Sequence, residues 1–148
     1  IDIGDGDQLH PVDKKDVGAR MALLAEKIAY GEPIVAAGPT YKSMEVKTDS
    51  IILSFENAQD GLVAGGGQPL HYFAIAGADR RFVWANARIE GDKVIVFNSS
   101  IPHPIAVRYG WAGNPLGCNL YNRAGLPASP FRTDDWPGLT FGKKYDLK

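Results

Sequence analysis

The sequence predicts a mostly β protein, an antiparallel β-sandwich preceded by one loop and one helix. Three observations lead there. Only one stretch, from Asp13 to Tyr30, carries apolar residues at helical spacing. From Ile34 onward the chain becomes a series of short runs rich in β-branched and aromatic residues, parted by Gly, Asp and Pro. Hydrophobic residues make up 45% of the 148, enough to build a real core.

Taken in order, Ile1 to Leu9 is rich in Gly and Asp and reads as a strand end and loop. Asp13 is placed to cap a helix, because its carboxylate can accept from the exposed amides of the first turn. Val17, Met21, Leu24, Ala25 and Ile28 then form an apolar stripe, with Lys14, Lys15, Arg20, Glu26 and Lys27 mostly on the wet faces. Gly31 and Pro33 end the helix. A single amphipathic helix is marginal in water without a partner. Its stripe must dock on the sandwich or on a domain outside this chain, and the connection from Gly31 to Pro39, which reads as leading away from the helix, favours the outside domain.

Strands are expected at Ile51–Phe55, Tyr72–Ala76, Phe82–Ala85, Val94–Phe97 and Ala106–Tyr109, with a hairpin turn at Glu90-Gly91-Asp92-Lys93. A sandwich of about six to eight strands fits such spacing. From Asn114 onward the Pro- and Gly-rich chain reads as ordered coil with turns. The expected division is residues 1–32 as the end of one domain and residues 33–148 as the sandwich.

Bulk charge narrows the partners. With 16 basic and 17 acidic residues and no basic run, neither nucleic acid nor an anionic membrane is expected as a partner. No apolar run is long enough to span a bilayer as a helix. The single cysteine, Cys118, rules out an internal disulfide framework and reads as a packing residue. His71 and His103 have no ligand-spaced partners, so no metal site is expected. Gly65-Gly66-Gly67 lacks the Lys and Ser/Thr of a nucleotide loop and reads as a flexible connection.

The chemistry-bearing motif is Asp7-Gln8-Leu9-His10-Pro11. An imidazole can take the proton of a hydroxyl nucleophile near neutral pH, and a carboxylate folding back to its other nitrogen fixes the tautomer. Asp7 and His10 are therefore candidate catalytic residues. Asp2 and Asp5 compete for the carboxylate role without the three-residue offset. The alternative is an Asp capping a turn and a His packed on Pro11. No serine stands in a nucleophile motif: Ser43, Ser50, Ser54, Ser99, Ser100 and Ser129 fall in strand or turn contexts. Trp84, Tyr109, Trp111, Tyr121 and Trp136 could make a sugar-stacking surface but are more commonly core. Arg108, Arg123 and Arg132 could meet a carboxylate, although structural ion pairs are the commoner fate.

The run from Asp7 through Arg20 resembles the last motif block of the sialate O-acetylesterase family, SGNH-type carbohydrate esterases. Tyr30-Gly31, Ser43-Met44, the stretch from Phe73 to Asp79, and Val107-Arg108-Tyr109-Gly110-Trp111 resemble it further. So do Asn119-Leu120-Tyr121-Asn122 and the stretch from Gly125 to Arg132. The resemblance implies an enzyme that removes O-acetyl groups from sugars through a Ser nucleophile, a His base and an Asp, with no metal and no cofactor. It implies that residues 1–32 are the terminal loop and helix of an α/β SGNH-type catalytic domain, with His10 and Asp7 in the triad. The nucleophile would then stand on an N-terminal polypeptide or domain acting as partner, and the acetylated sugar would be the substrate. This chain alone would be inactive. Periplasmic, secreted or lysosomal location follows by the same resemblance. Two other classes of function stay open, a carbohydrate-binding sandwich and a purely bracing domain, neither of which needs the Asp-x-x-His loop.

Overall fold

The computed structural model describes residues 1–8, 10, 12–58, 60–138 and 140–143. It holds one helix, α1 (Lys14–Ala29), and ten strands: β1 (Thr40–Val46), β2 (Ser50–Glu56), β3 (Leu62–Ala64), β4 (Phe73–Ala76), β5 (Phe82–Trp84), β6 (Asn86–Glu90), β7 (Lys93–Phe97), β8 (Ala106–Tyr109), β9 (Leu120–Asn122) and β10 (Phe131–Arg132). The fold is mostly β, as expected. Two four-stranded antiparallel sheets, ordered β1-β2-β7-β6 and β10-β8-β4-β5, face one another, and β3 pairs with β9 in a separate ribbon.

Alternation explains the core. Ile51 and Leu53 of β2 and Val94 and Val96 of β7 point inward from the first sheet, against Phe73, Ile75, Val107 and Tyr109 of the second. Phe131 of β10 bridges the layers, stacking on Tyr41 at 5.0 Å and meeting the edge of Phe55 at 5.7 Å. The expected hairpin is present, with Glu90 opposite Lys93 and Gly91 at a φ of 64°.

The five strands expected from sequence all form, and five more accompany them. β1 (TYKSMEV) escapes a hydrophobic reading because it is an edge strand with no buried residue. β9 and β10 lie in the segment read as coil. They are three and two residues long and are fixed by distant partners, Leu62–Ala64 for β9 and Arg108–Tyr109 for β10.

The helix starts as expected, with the Asp16 amide donating to Asp13 Oδ1 at 3.0 Å. It has no buried residue. Along the stripe, Met21 is 66% and Ile28 80% exposed. No described helix is long and apolar enough to cross a membrane.

Candidate functional site

The loop before α1 is shaped by its own acidic residues. Asp5 Oδ1 accepts from the Asp7 amide at 3.0 Å, and the Asp5 carbonyl accepts from the Gln8 amide at 3.2 Å, which turns the chain at Gly6. Gly6 lies against Asn114, where an added Cβ would sit 2.1 Å from the amide nitrogen. The loop therefore touches the segment after β8 closely at Gly6, where a larger residue would displace the exposed Asn114 side chain.

Asp7 and His10 both stand exposed on this loop. Leu9 and Pro11 of the motif lie outside the described residues. Among the described residues, no hydrogen bond or ion pair joins Asp7 to His10.

The base of the loop is clamped by three residues that the sequence reading did not bring together. Arg20, from the middle of α1, donates Nη1 to Asp2 Oδ1 at 2.8 Å and Nη2 to Asp2 Oδ2 at 2.7 Å. The Tyr121 hydroxyl of β9 donates to the same Oδ2 at 3.0 Å. The Asp2 carboxylate is nearly buried, whereas Arg20 keeps partial access to water. Burial pushes the Asp2 carboxyl up, but the Arg20 fork and the Tyr121 hydroxyl outweigh it and hold it below the ordinary carboxylate range. Burial, with the Asp2 charge beside it, pushes the Tyr121 phenol up to about 12. The competitor carboxylate Asp2 is thus committed to structure, and it ties loop, helix and sandwich at one point. Ile1 packs partly against the core beside it.

The other candidates fall out plainly. Cys118 is buried and burial raises its thiol pKa, so it packs rather than attacks. His71 and His103 are exposed, and no group of three His, Cys, Asp or Glu gathers among the described residues. Gly65–Gly67 forms a short 3-10 turn, held by the Asn119 side chain rather than left loose. Tyr109 is core, its hydroxyl accepting from the Leu120 amide at 3.0 Å. Arg108 is bound by Asp134 through Nε at 2.8 Å and Nη2 at 2.7 Å. Trp84 and Trp111 are exposed on the outer face of the second sheet.

Comparison with known proteins gives two matches. The chain is 28% identical over 144 residues to a mouse sialate O-acetylesterase, covering 88% of this chain and 26% of that protein. It superposes on the crystal structure of a carbohydrate acetylesterase from Xanthomonas citri with a TM-score of 0.88 and 47% identity, over 92% of this chain and 32% of that one. The chain therefore spans about a quarter to a third of the length of these relatives. No protein-family model matches it.

Proposed function

We propose that this chain is the C-terminal part of a serine carbohydrate O-acetylesterase of the sialate O-acetylesterase family, a reading supported by its similarity to a sialate O-acetylesterase and to a carbohydrate acetylesterase. It supplies the His and Asp of the triad to a catalytic domain lying outside the sequence. The observation that carries the reading is the combination of 47% identity to a carbohydrate acetylesterase with coverage of only 32% of that enzyme. The open faces of this chain fit the division. Asp7 and His10 are exposed, and the α1 stripe holds no buried residue, with Met21, Leu24 and Ile28 all exposed.

In the proposed reaction a serine on the remaining polypeptide gives its hydroxyl proton to His10 Nε2 as its oxygen attacks the acetyl carbonyl. The tetrahedral intermediate collapses, and the leaving sugar oxygen takes that proton back from His10. Water, deprotonated by the same imidazole, then attacks the acyl-serine, and the serine oxygen takes that proton back as acetate leaves. Asp7 accepts from Nδ1–H and stabilises the imidazolium. The two side chains come together when the loop seats against the catalytic domain, since catalytic hydrogen bonds are commonly unmade until the site is assembled.

A cover over the α1 stripe is part of the proposal. Each buried side chain of the Val, Leu or Met type contributes about 1.5–3 kcal/mol relative to exposure, so the stripe supplies several kcal/mol to the docking. The test is acetate release from an acetylated glycan by the 148-residue chain alone and after supplying the polypeptide that carries the serine. The expected result is no turnover alone and turnover on assembly, lost in His10→Ala. Equal turnover by the assembled His10→Ala enzyme would leave the bracing-domain reading in its place.

A further inference from the structure

Across the outer face of the second sheet, strand register places Arg132, Arg108, Ala74 and Trp84 in one row, on β10, β8, β4 and β5. At about 4.8 Å between strands the row runs roughly 14 Å, a length suited to an oligosaccharide rather than one sugar. Ala74 leaves its floor low. Trp84 stands at the end of the row, 63% exposed, and divides two clefts. One, of about 640 Å³, is walled by His71, Tyr72, Asn86 and Leu116; the other, of about 460 Å³, by Phe82, Arg108 and Trp111. Open space thus lies on both sides of the indole.

The walls are built rather than incidental. Tyr72 meets Trp84 edge-on at 5.6 Å and holds a φ of 62°, a strained value for a residue with a Cβ. Its carbonyl is fixed by the Gly110 amide at 3.0 Å. Asn119 pins the neighbouring wall, accepting from the His71 amide at 2.9 Å and donating to the Pro69 carbonyl at 2.9 Å. The arginines beside the groove are occupied. Asp134 takes Arg108 in a two-point fork, while Arg132 donates to the Trp136 carbonyl at 2.9 Å. Arg108 also lies over Phe82 at 4.0 Å. Asp134 neutralises Arg108, whereas Arg132 reaches that one carboxylate only at 3.9 Å, so it is Arg108 that lends the groove an apolar flank and some donors rather than an anion trap.

We propose that this face is a binding site for a neutral oligosaccharide, with Trp84 as the ring on which a pyranose stacks and Ala74 as the floor of the groove. Aromatic faces pack on the C–H faces of sugars, and the polar edges of Asn86 and His71 lie within the same cleft to meet hydroxyls. A sialic acid carboxylate finds no unpaired guanidinium fork at Arg108. The segment after β8 links this face to the catalytic loop: Trp111 walls the second cleft, and Asn114 touches Gly6. The groove is therefore placed to hold the unreacted part of a glycan whose acetylated ring lies at His10. That role rests on the function proposed above, whereas the binding does not.

The test uses unacetylated xylohexaose and cellohexaose as neutral probes and sialyllactose as the anionic one, titrated against the 148-residue chain by calorimetry and tryptophan fluorescence. Binding of a neutral probe is expected, weakened about tenfold or more by Trp84→Ala and similarly by Ala74→Leu, which raises the floor. Both variants are expected to keep the wild-type melting midpoint, because Trp84 is exposed and position 74 faces outward. Because the probes carry no acetyl group, this outcome is independent of whether His10 acts in catalysis. The proposal falls if no neutral probe binds, if sialyllactose binds more tightly, or if binding survives Trp84→Ala. It falls equally if no sugar binds and Trp84→Ala instead weakens association with the remaining polypeptide, since the face is then a protein interface.

Discussion

Replacing Asp2 with Asn should release the helix and its loop from the sandwich without unfolding the sandwich. Asp2 accepts three hydrogen bonds, two from Arg20 and one from Tyr121. A hydrogen bond to a charged group is worth about 1.5–3 kcal/mol, and an amide keeps only part of this set. Arg20 is partly exposed and rehydrates when freed, so the loss is discounted to about 2 kcal/mol, roughly thirtyfold in the docking equilibrium. A released single helix of this length is marginal, so its amides report the change. Hydrogen exchange around Arg20 should accelerate by up to about thirtyfold in Asp2→Asn, while amides of β4, β7 and β8 keep their rates. Acid should mimic the substitution. The Asp2 carboxyl is depressed in the folded state. Its contribution is therefore present above the ordinary carboxylate value near 4 and is lost as pH falls through the lower, folded value. Unchanged exchange around Arg20 in Asp2→Asn at pH 7 would refute the clamp.

Two stability predictions follow from buried polar groups in the sandwich. Tyr109→Phe removes the acceptor for the Leu120 amide at a fully buried position; denaturant unfolding should show a loss of about 1–3 kcal/mol. Asn122→Ala should cost about 3 kcal/mol or more in the same assay. Its side chain donates to the Ala37 and Asn57 carbonyls and accepts from the Leu126 amide, so truncation orphans three backbone groups.

Strands that carry the core were legible because burial and alternation coincide in them. Ile51-Ile52-Leu53 and Val94-Ile95-Val96 announce themselves by composition and by the turn at Gly91. Strands whose existence depends on a partner were not. β1 has no fully buried residue and packs only Tyr41 and Met44 against the core, and β10 is two residues that become a strand only because Arg108 and Tyr109 lie opposite. Helix limits were readable from Asp13 and Gly31, both of which do what their side chains, or the lack of one, allow. The stripe on α1 was also readable, but local periodicity says only that a face is apolar, not what covers it.

The site divides in the same way. Asp7 and His10 were singled out because their chemistry and their offset are local properties of sequence. The Asp2–Arg20–Tyr121 clamp was not, because its members stand 18 and 119 residues apart and each has an ordinary local reading: a loop carboxylate, a wet-face arginine, an aromatic. The structure satisfies the hidden set with its own residues and leaves the legible pair open. Those two facts belong together. A hydrogen-bonded clamp at the base of the loop fixes where the loop leaves the sandwich, which limits how far Asp7 and His10 can wander. The Asp5 hydrogen bonds then turn the chain at Gly6, which lies close to Asn114. What remains to be supplied is the contact that folds Asp7 onto His10, and on the proposed function that contact comes from the body carrying the serine. If so, weakening the clamp in the assembled enzyme should lower kcat more than it raises KM, because it loosens the base's position rather than the grip on the sugar.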